Sequence, residues 1–161
     1  MNHYQEYKQY IVGNYKNITF VIDKDMYLII SQYSWHVTRK GYVATFVYPE
    51  HKRIFMHHLI IGKPNPPMYV DHINGDKLDN RKLNLRLCTN SQNAMNRKLQ
   101  NNNTSGSVGV SWSKSVQKWC AYIKINQKRI HLGVFDDINE AIKVRKNAEI
   151  LYFKEFRKKE D

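Results

Sequence analysis

A chain of 161 residues suits one medium domain or two small ones, and its 42% hydrophobic content supplies small cores. No apolar stretch approaches the roughly 20 residues that cross a bilayer, and the N-terminus MNHYQEYKQY lacks the apolar core of a signal peptide, which argues against a membrane or exported protein. Residues 1–98 hold 14 Lys and Arg against 7 Asp and Glu, and residues 99–161 hold 12 against 7, so the net charge of +12 is spread over both halves and favours a polyanionic partner such as nucleic acid.

The first half begins with predicted strands, because five short runs are rich in β-branched and aromatic residues with polar turn residues between them. These runs are residues 18–22, 27–30, 34–38, 42–48 and 52–61. The segment GKPNPP at 62–67 then breaks regular structure, because proline fixes the backbone and removes a donor. A strand at 68–72, a polar loop and an apolar stretch at 83–88 follow. Thr89 and Ser91 suit the N-cap of a helix that ends near Leu99.

The pattern restarts after QNNNTSG at 100–106, a polar stretch without apolar residues that we interpret as a linker. Residues 108–112, 118–125 and 128–135 predict three strands joined by tight turns. Asp136 and Asp137 cap a predicted helix that runs to about Phe153. Its buried face is expected to hold Ile138, Ala141, Ile142, Ala148 and Leu151.

We therefore predict an α+β chain with a first domain over residues 1–99, a linker at 100–106, and a three-stranded antiparallel sheet with one helix over 107–156. Cys88 and Cys120 each fall inside a predicted strand. We interpret them as reduced, buried thiols of a cytoplasmic protein, and two cysteines cannot make a four-cysteine zinc site. No structural zinc is expected.

One long ordered pattern runs from residue 69 to residue 93, YVDHINGDKLDNRKLNLRLCTNSQN. Asp71 and His72 end a strand, Asn84 comes twelve positions after His72, and Asn93 lies in the first turn of the next predicted helix. A strand–loop–strand–helix hairpin of this length can fold back so that Asp71 and Asn93 point into one space. Oxygen ligands without thiolates suit Mg²⁺ or Mn²⁺.

The segment from MHHLI through VDHINGDKLDNRKLNLRL to SQNAMNR, roughly residues 53–98, resembles the HNH endonucleases of phage and intron origin. The resemblance implies a ββα-metal active site. The family's Asp-His pair falls on Asp71 and His72, its middle Asn on Asn84, and its final helix residue on Asn93, where many members have His.

Phosphodiester hydrolysis needs these residue types, because a nucleophile must be made and charge must be stabilised on the phosphorane and the leaving oxygen. A divalent ion on Asp71 and Asn93 would lie against the scissile phosphate and the leaving 3′ oxygen. His72, with an ordinary pKa of about 6.5, can take a proton from water near neutral pH. The resemblance implies that Asn84 holds the loop and orients His72. The candidates for phosphate contacts are Arg86, Arg97 and Lys98.

Each of these residues has a plain structural interpretation when it is taken alone. An Asp-His pair at a strand end is usually structural, and asparagines in a polar loop usually form turns; only their order and spacing favour a nuclease. His57 matches a family position ahead of the motif, where His-Arg is usual, and is equally compatible with a packed core histidine. No role in the site is assigned to His3, His36, His51 and His58.

Alternation along the C-terminal strands separates an apolar face from a basic one. Residues 107–135 hold five Lys and Arg and no Asp or Glu, and a sheet of this width fits the major groove of duplex DNA. The pieces SVGVSW, KWCAYIK and KRIHLGVF, with the D-x-x-E-A stretch after them, resemble the AP2 DNA-binding domain over about residues 105–153. Position and parity give the candidate DNA contacts Ser111, Lys118, Tyr122, Lys124, Arg129 and His131.

The combined pattern predicts a metal-dependent, homing-type endonuclease whose first domain cuts duplex DNA while the AP2-like sheet binds the target. We expect Mg²⁺ or Mn²⁺ as the only cofactor, no membrane partner, and a monomer or weak dimer in the cytoplasm. Two alternatives stay open. One is a DNA-binding regulator with an inactive nuclease domain; the other is an RNA-binding or ribosome-associated protein, which the basic charge alone would suit equally well.

Overall fold

In the computed structural model, residues 2–96, 99 and 103–157 are described, and they form a mixed α/β fold of small antiparallel sheets with few helices. The strands are β1 (His3–Glu6), β2 (Tyr10–Tyr15), β3 (Ile18–Asp23), β4 (His36–Val37), β5 (Val43–Val47), β6 (Lys52–Phe55), β7 (Met68–His72), β8 (Leu85–Thr89), β9 (Val110–Ser113), β10 (Lys118–Ile125) and β11 (Lys128–Phe135). The helices are α1 (Tyr27–Ile30), α2 (Met56–Ile61), α3 (Asn90–Met95) and α4 (Ile138–Phe153). None of the helices in this described part is long and apolar enough to span a bilayer.

The chain divides into two compact units, Met1–Thr89 and Asn90–Asp161. The first unit contains three sheets, β1-β2-β3, β4-β5-β6 and the hairpin β7-β8. The sheets β1-β2-β3 and β4-β5-β6 share one apolar core, and the indole Nε1 of Trp35 donates to the Ile30 carbonyl inside it at 2.7 Å. The core side chains are Ile11, Phe20, Ile22, Met26, Ile30, Trp35, Val43 and Met56.

Two strand predictions in the first unit were wrong. Residues 27–30 form the helical turn α1, which buries Ile30 completely and leaves Leu28 75% exposed. The run at 52–61 divides into β6 and α2, and Phe55, which precedes α2, makes no side-chain capping hydrogen bond. A short apolar run fits a strand or a buried helical turn equally well, so periodicity does not separate the two. Strands β1 and β2 were not predicted.

The strand predicted at 68–72 and the break after residue 61 are confirmed, since β7 spans those residues and α2 ends before Gly62, whose φ is +85°. The two cysteines are confirmed as free thiols. Cys88 is buried in β8 and Cys120 is half-buried in β10. Helix α3 begins at Asn90, directly after Thr89.

The second unit is a three-stranded antiparallel sheet in the order β11-β10-β9, covered on one face by α4. The strands predicted at 118–125 and 128–135 are confirmed, as is the helix, whose N-cap Asp137 accepts a hydrogen bond from the Asn139 backbone. Ala121 and Ile123 of β10 are fully buried under it. Leu151, predicted on the buried face of the helix, is 65% exposed, so that part of the prediction was wrong.

A buried arginine occupies the helix face instead. The Arg145 guanidinium is almost completely buried, with Nη1 2.8 Å from the Glu149 carboxylate. It lies against Gly109, where a Cβ would come within 2.6 Å of Arg145 Nε and 2.3 Å of the Tyr122 carbonyl oxygen. Gly109 also has φ +78°, a conformation that favours glycine. The first strand therefore begins at Val110 rather than at residue 108.

Candidate active site

The hairpin β7–β8 positions the first two predicted site residues. Asp71 faces Arg86 across the hairpin, and His72 faces Leu85. Both Asp71 and His72 are buried, at 6% and 4% exposure. The chain leaves the sheet directly after His72, through a long loop of residues 73–84 that returns to β8. The strand end therefore holds an imidazole and a carboxylate next to a polar loop.

Arg86 binds the Asp71 carboxylate. Its Nε and Nη2 lie 2.9 Å and 2.7 Å from Asp71 Oδ2, and both side chains are largely buried. The sequence was interpreted to place Arg86 on a phosphate, and this cross-strand pairing was not foreseen. A carboxylate has two oxygens and about four lone-pair positions, and Arg86 Nε and Nη2 both donate to Oδ2.

His72 is oriented by Asn80. His72 Nε2 lies 3.4 Å from Asn80 Oδ1, while Asn80 Nδ2 donates to the carbonyls of Lys77 and Leu78. The amide oxygen therefore faces the ring, and a neutral His72 that carries its proton on Nε2 would donate to it. Burial lowers the pKa of His72, and the contact with Asn80 and the nearby carboxylates oppose that shift only in part. Asn80 was interpreted as a turn former, and no sequence signal separated it from the other loop asparagines.

Asn84 ties the two ends of the loop together. Its Oδ1 accepts from the Asn74 backbone N–H at 3.0 Å, and its Nδ2 donates to the Asp79 carbonyl at 2.8 Å. Its own carbonyl accepts from the Ile73 N–H at 2.8 Å. These bonds tie the loop together. The orientation of His72 by Asn84 stays a prediction, because the structure shows the hydrogen bond of the His72 ring with Asn80.

Asp79 forms a second buried node in the loop. Its carboxylate accepts from Arg81 Nε and Nη2 at 2.8 Å and 2.6 Å and from Asn74 Nδ2 at 3.2 Å. Burial acts to raise the pKa of Asp79, but the bonds and the charge of Arg81 outweigh it and hold the pKa below its usual value. The loop thus carries a fixed negative charge that is neutralised locally.

The edge of the N-terminal sheet supports the same loop. The Val21 N–H donates to the Leu78 carbonyl at 2.9 Å, and the Asn80 N–H donates to the Val21 carbonyl at 2.8 Å. The Asp23 carboxylate accepts from the Lys82 backbone at 2.6 Å. Strand β3 is at the edge of its sheet, so the loop uses backbone groups that would otherwise be unpaired.

A cluster of rings covers His72. The ring centroids of His57 and His72 are 5.3 Å apart, and His57 stacks on Phe55 at 5.4 Å and packs against Tyr42 at 5.4 Å. His57 Nδ1 is buried and makes no hydrogen bond among the described residues. Burial, with the neighbouring His58 and His72, lowers the pKa of His57 to about 3. This supports the packed-core interpretation of His57, next to the site.

Three predicted residues of the first site come after β8 in the chain: Asn93, Arg97 and Lys98. Asn93 belongs to the second unit, on helix α3, and its side chain is exposed. Met95 of the same helix packs on the cluster around Ile123 of that unit. The pairing of Asp71 with Asn93 stays a prediction. Arg97 and Lys98 lie outside the described residues.

The six predicted DNA contacts of the second unit share one face of its sheet, opposite α4. The register pairs Ser111 with Cys120, Tyr122 with His131 and Lys124 with Arg129. The Arg129 guanidinium lies over the Tyr122 ring at 3.5 Å from the centroid. Lys118, on the same face, forms an ion pair with Asp136 at 3.0 Å.

The Asp71 carboxylate is a ligand of the type that a hard divalent cation takes. Carboxylate and amide oxygens are the ligands that Mg²⁺ and Mn²⁺ prefer. Burial raises the pKa of Cys88 to about 11, with a contribution from Asp71, so this nearby thiol stays protonated at neutral pH. Over the described ranges, no three His, Cys, Asp or Glu side chains gather to hold a metal. An ion on Asp71 would need amide, water or phosphate oxygens as its other ligands.

Known proteins match this part of the chain. The HNH endonuclease family model matches residues 51–95, which include β7, the loop, β8 and α3. Residues 51–95 are therefore similar to an HNH endonuclease domain. An uncharacterized HNH endonuclease of Acanthamoeba polyphaga mimivirus is 34% identical over 94 residues, which cover 57% of this chain. Protein 3.8 of Escherichia phage T7 is 45% identical over 51 residues, or 32% of this chain.

The chain matches only about half of the length of these relatives. The matched segments span 50% of the mimivirus protein and 42% of the phage protein. No solved structure matches the chain. Neither relative's name refers to an AP2 domain, so the AP2 likeness of residues 107–156 stays a prediction.

Proposed function

We propose that the chain is a metal-dependent endonuclease that hydrolyses phosphodiester bonds in duplex DNA, at specific sites and of the homing type. One observation carries this proposal: within an HNH domain, a buried imidazole, His72, is held by Asn80 beside the Asp71 carboxylate. Hydrolysis of a phosphodiester needs a positioned base next to a cation-binding oxygen.

His72 is the general base of this proposal. With Nε2 donating to Asn80, Nδ1 would accept the proton of the attacking water. Asn84 acts at a distance, since it closes the loop that carries Asn80. The ring packing of His57 and Tyr42 against His72 limits the rotation of the imidazole and excludes water from its other side.

Asp71 and Asn93 would hold the divalent ion, Mg²⁺ or Mn²⁺, which when bound stabilises charge on the scissile phosphate and the leaving oxygen. Arg86 keeps the Asp71 carboxylate in one orientation. With Arg97 and Lys98, it is also a proposed phosphate contact. The amide of Asn93 would have to reach Asp71 for this ligand pair to form.

The second unit would bind the target through its exposed sheet face, in the manner of an AP2 domain. That face has no acidic residue between positions 107 and 135. The guanidinium of Arg129, stacked on Tyr122, keeps its N–H edge available for a phosphate or a base. A small metal site makes few contacts with DNA bases, so a separate binding surface would provide the sequence specificity.

A DNA-binding protein with an inactive site is the second candidate. The ion pair between Arg86 and Asp71 favours it, because a guanidinium on the carboxylate competes with a cation for the same oxygen. The two candidates share every binding feature and differ only in cleavage.

Incubation of supercoiled plasmid with the protein separates the candidates. The nuclease converts plasmid to nicked or linear DNA with Mg²⁺ and leaves it intact with EDTA. His72→Ala lowers the cleavage rate by about 10²–10⁴-fold, the usual contribution of a general base, while duplex binding in EDTA changes little. Intact plasmid with Mg²⁺ and with Mn²⁺ would favour the inactive candidate. A His72→Ala protein that cuts normally, with its folding verified by circular dichroism, would remove His72 as the base.

A further inference from the structure

The sheet β4-β5-β6 of the first unit carries a row of rings that the proposed site does not use. Phe46 of β5 stacks on His36 of β4, with centroids 5.5 Å apart and planes at 4°. The Arg53 guanidinium of β6 lies over the Phe46 ring at 5.0 Å, since the two residues are direct cross-strand partners. We call Arg53, Phe46 and His36 the stacked row.

The stacked row is solvent-accessible and basic. Phe46 is 41% exposed and Arg53 is exposed. Within the described residues, Arg53 has no acidic group at ion-pair distance. Residues 36–55 contain four Lys and Arg and one acid, Glu50. An exposed aromatic ring covered by an unpaired guanidinium is a surface suited to an anion.

The row continues at its other end. His36 meets the Tyr15 ring edge-on at 6.5 Å, and Lys16 lies over Tyr15 at 5.5 Å. A cavity of about 420 Å³ opens beside them, lined by Asn2, His3, Asn14, Tyr15, Lys16, Ser34 and Trp35, with no acidic side chain. Cations therefore stand at both ends of the rings, as a strand of regularly spaced phosphates requires.

The same sheet face leads to the HNH site. Arg53 and Phe55 are two positions apart on β6, so both side chains point to one face of the sheet. Phe55 stacks on His57, and His57 packs against His72. Ring contacts therefore connect the side of the sheet that holds Arg53 with His72, and a phosphate bound at Arg53 would lie next to the proposed site.

We propose that Arg53, supported by Phe46, binds a phosphate of the DNA strand next to the HNH site. Stacking holds the guanidinium flat on the ring and leaves its in-plane N–H donors facing solvent, where a phosphate can accept two of them. The proposal rests on the proposed function for the identity of the polymer, DNA, and is independent of whether the DNA is cut.

The test is fluorescence anisotropy of the full chain with a labelled duplex of about 20 base pairs in EDTA, over a series of salt concentrations. Arg53→Ala weakens binding about 10-fold, and the slope of log K against log salt falls by about 0.9, the value for one lost phosphate contact. The matched control is Lys52→Ala, which removes the same charge from the neighbouring position on the opposite face of β6. It changes affinity at most about twofold, because a charge without contact is screened at moderate salt.

Two further variants separate charge from geometry. Phe46→Leu keeps an apolar side chain and removes the ring, so binding weakens about two- to fivefold, as expected for an exposed cation–π contact. Arg53→Lys retains the slope of the wild type but recovers only part of the affinity, because lysine lacks the planar fork. Melting curves of each variant verify the fold.

Arg53→Ala and Lys52→Ala with equal affinity and equal slope would overturn the proposal. Tighter binding of an RNA duplex of the same sequence, with the Arg53 effect confined to RNA, would overturn DNA as the partner. A chain that shows the Arg53 effect without cutting plasmid fails as a nuclease while this inference stands. If the chain cuts plasmid and Arg53→Ala has no effect on binding, the nuclease proposal stands and the Arg53 inference fails.

Discussion

The loop at residues 73–84 and the open sheet face of the second unit handle polar groups in opposite ways. In the loop, Asp79, Asn80 and Asn84 are 5%, 0% and 4% exposed. The side chain of each forms a hydrogen bond with a backbone group of the same loop. On the sheet face, Lys124 and Arg129 are exposed and face solvent.

Under the proposed function, the loop would position the catalytic groups and the sheet face would bind the DNA. A buried polar group is costly unless it is satisfied, so the loop holds one geometry and changes there alter stability and rate. An exposed cation contributes through counterion release, so changes on the sheet face alter affinity and its salt dependence. The stacked row of the first unit resembles the sheet face, because Arg53 is an exposed cation. Ring contacts nevertheless connect its sheet with His72, where the loop begins.

The largest expected effect breaks the loop. Asn84→Ala leaves the Asn74 N–H and the Asp79 carbonyl without their partner, and an unsatisfied buried group costs about 1–3 kcal/mol. The free energy of unfolding of the first unit falls by about 2 kcal/mol or more, measured by urea denaturation, and plasmid cleavage slows more than 10-fold at an unchanged salt slope of binding. Asn17→Ala, at an exposed turn of the same unit, is the control. Wild-type stability of Asn84→Ala would contradict the assignment of the loop closure to this residue.

A smaller effect is expected on the sheet face. Lys124→Ala with Arg129→Ala removes two proposed phosphate contacts, so duplex affinity drops about 10-fold or more and the salt slope falls by about 1.8. Stability stays within about 0.5 kcal/mol, since both side chains are exposed. Lys128→Ala, next to Arg129 on the other face of β11, is the matched control. If the double variant keeps the wild-type slope, these two residues are not at the DNA interface.

A third expected effect lies in the dependence of stability on pH. The pKa of buried His57 is about 3, below the unfolded value of about 6.5, so the unfolded state binds one more proton between those pH values. The contribution of neutral His57 is fully present above pH 6.5 and is lost as pH falls toward 3, with a slope of at most about 1.4 kcal/mol per pH unit. His58 and His72, which face His57, add to the same acid sensitivity in direction. Chemical denaturation at pH 7 and pH 5 checks this: His57→Phe flattens the dependence and His3→Ala does not. An equal dependence in all three proteins would contradict the buried state of His57.

The secondary structure was predicted correctly where the hydrophobic pattern and the capping residues indicated the same element. Every odd position in residues 118–125 is apolar, and Asp137 caps α4, so both elements appear at the predicted positions. The helices at residues 27–30 and 56–61 have no side-chain capping hydrogen bond. Phe55 gives no side-chain cap, and tertiary burial of Ile30 and Met56 decided in favour of helical turns.

The contacts of the candidate site could not be predicted from the sequence. The order and spacing of Asp71, His72 and Asn84 predicted the segment that the HNH family model matches. The partner of Asp71 depends on the register of β7 on β8, and a loop of residues 73–84 is too long for turn rules to set that register. The choice of Asn80 as the neighbour of His72 likewise depends on how β3 holds the loop.

By itself, the sequence determined the basic charge of both halves, the ordered HNH motif and the alternation of the C-terminal strands, because these are properties of residue type and spacing. Only the tertiary structure decided that Arg86 meets Asp71, that Asn80 orients His72 and that Arg53 lies on Phe46. Each of these contacts joins strands or loops that are distant along the chain. Their register depends on tertiary packing, which a local sequence pattern does not determine.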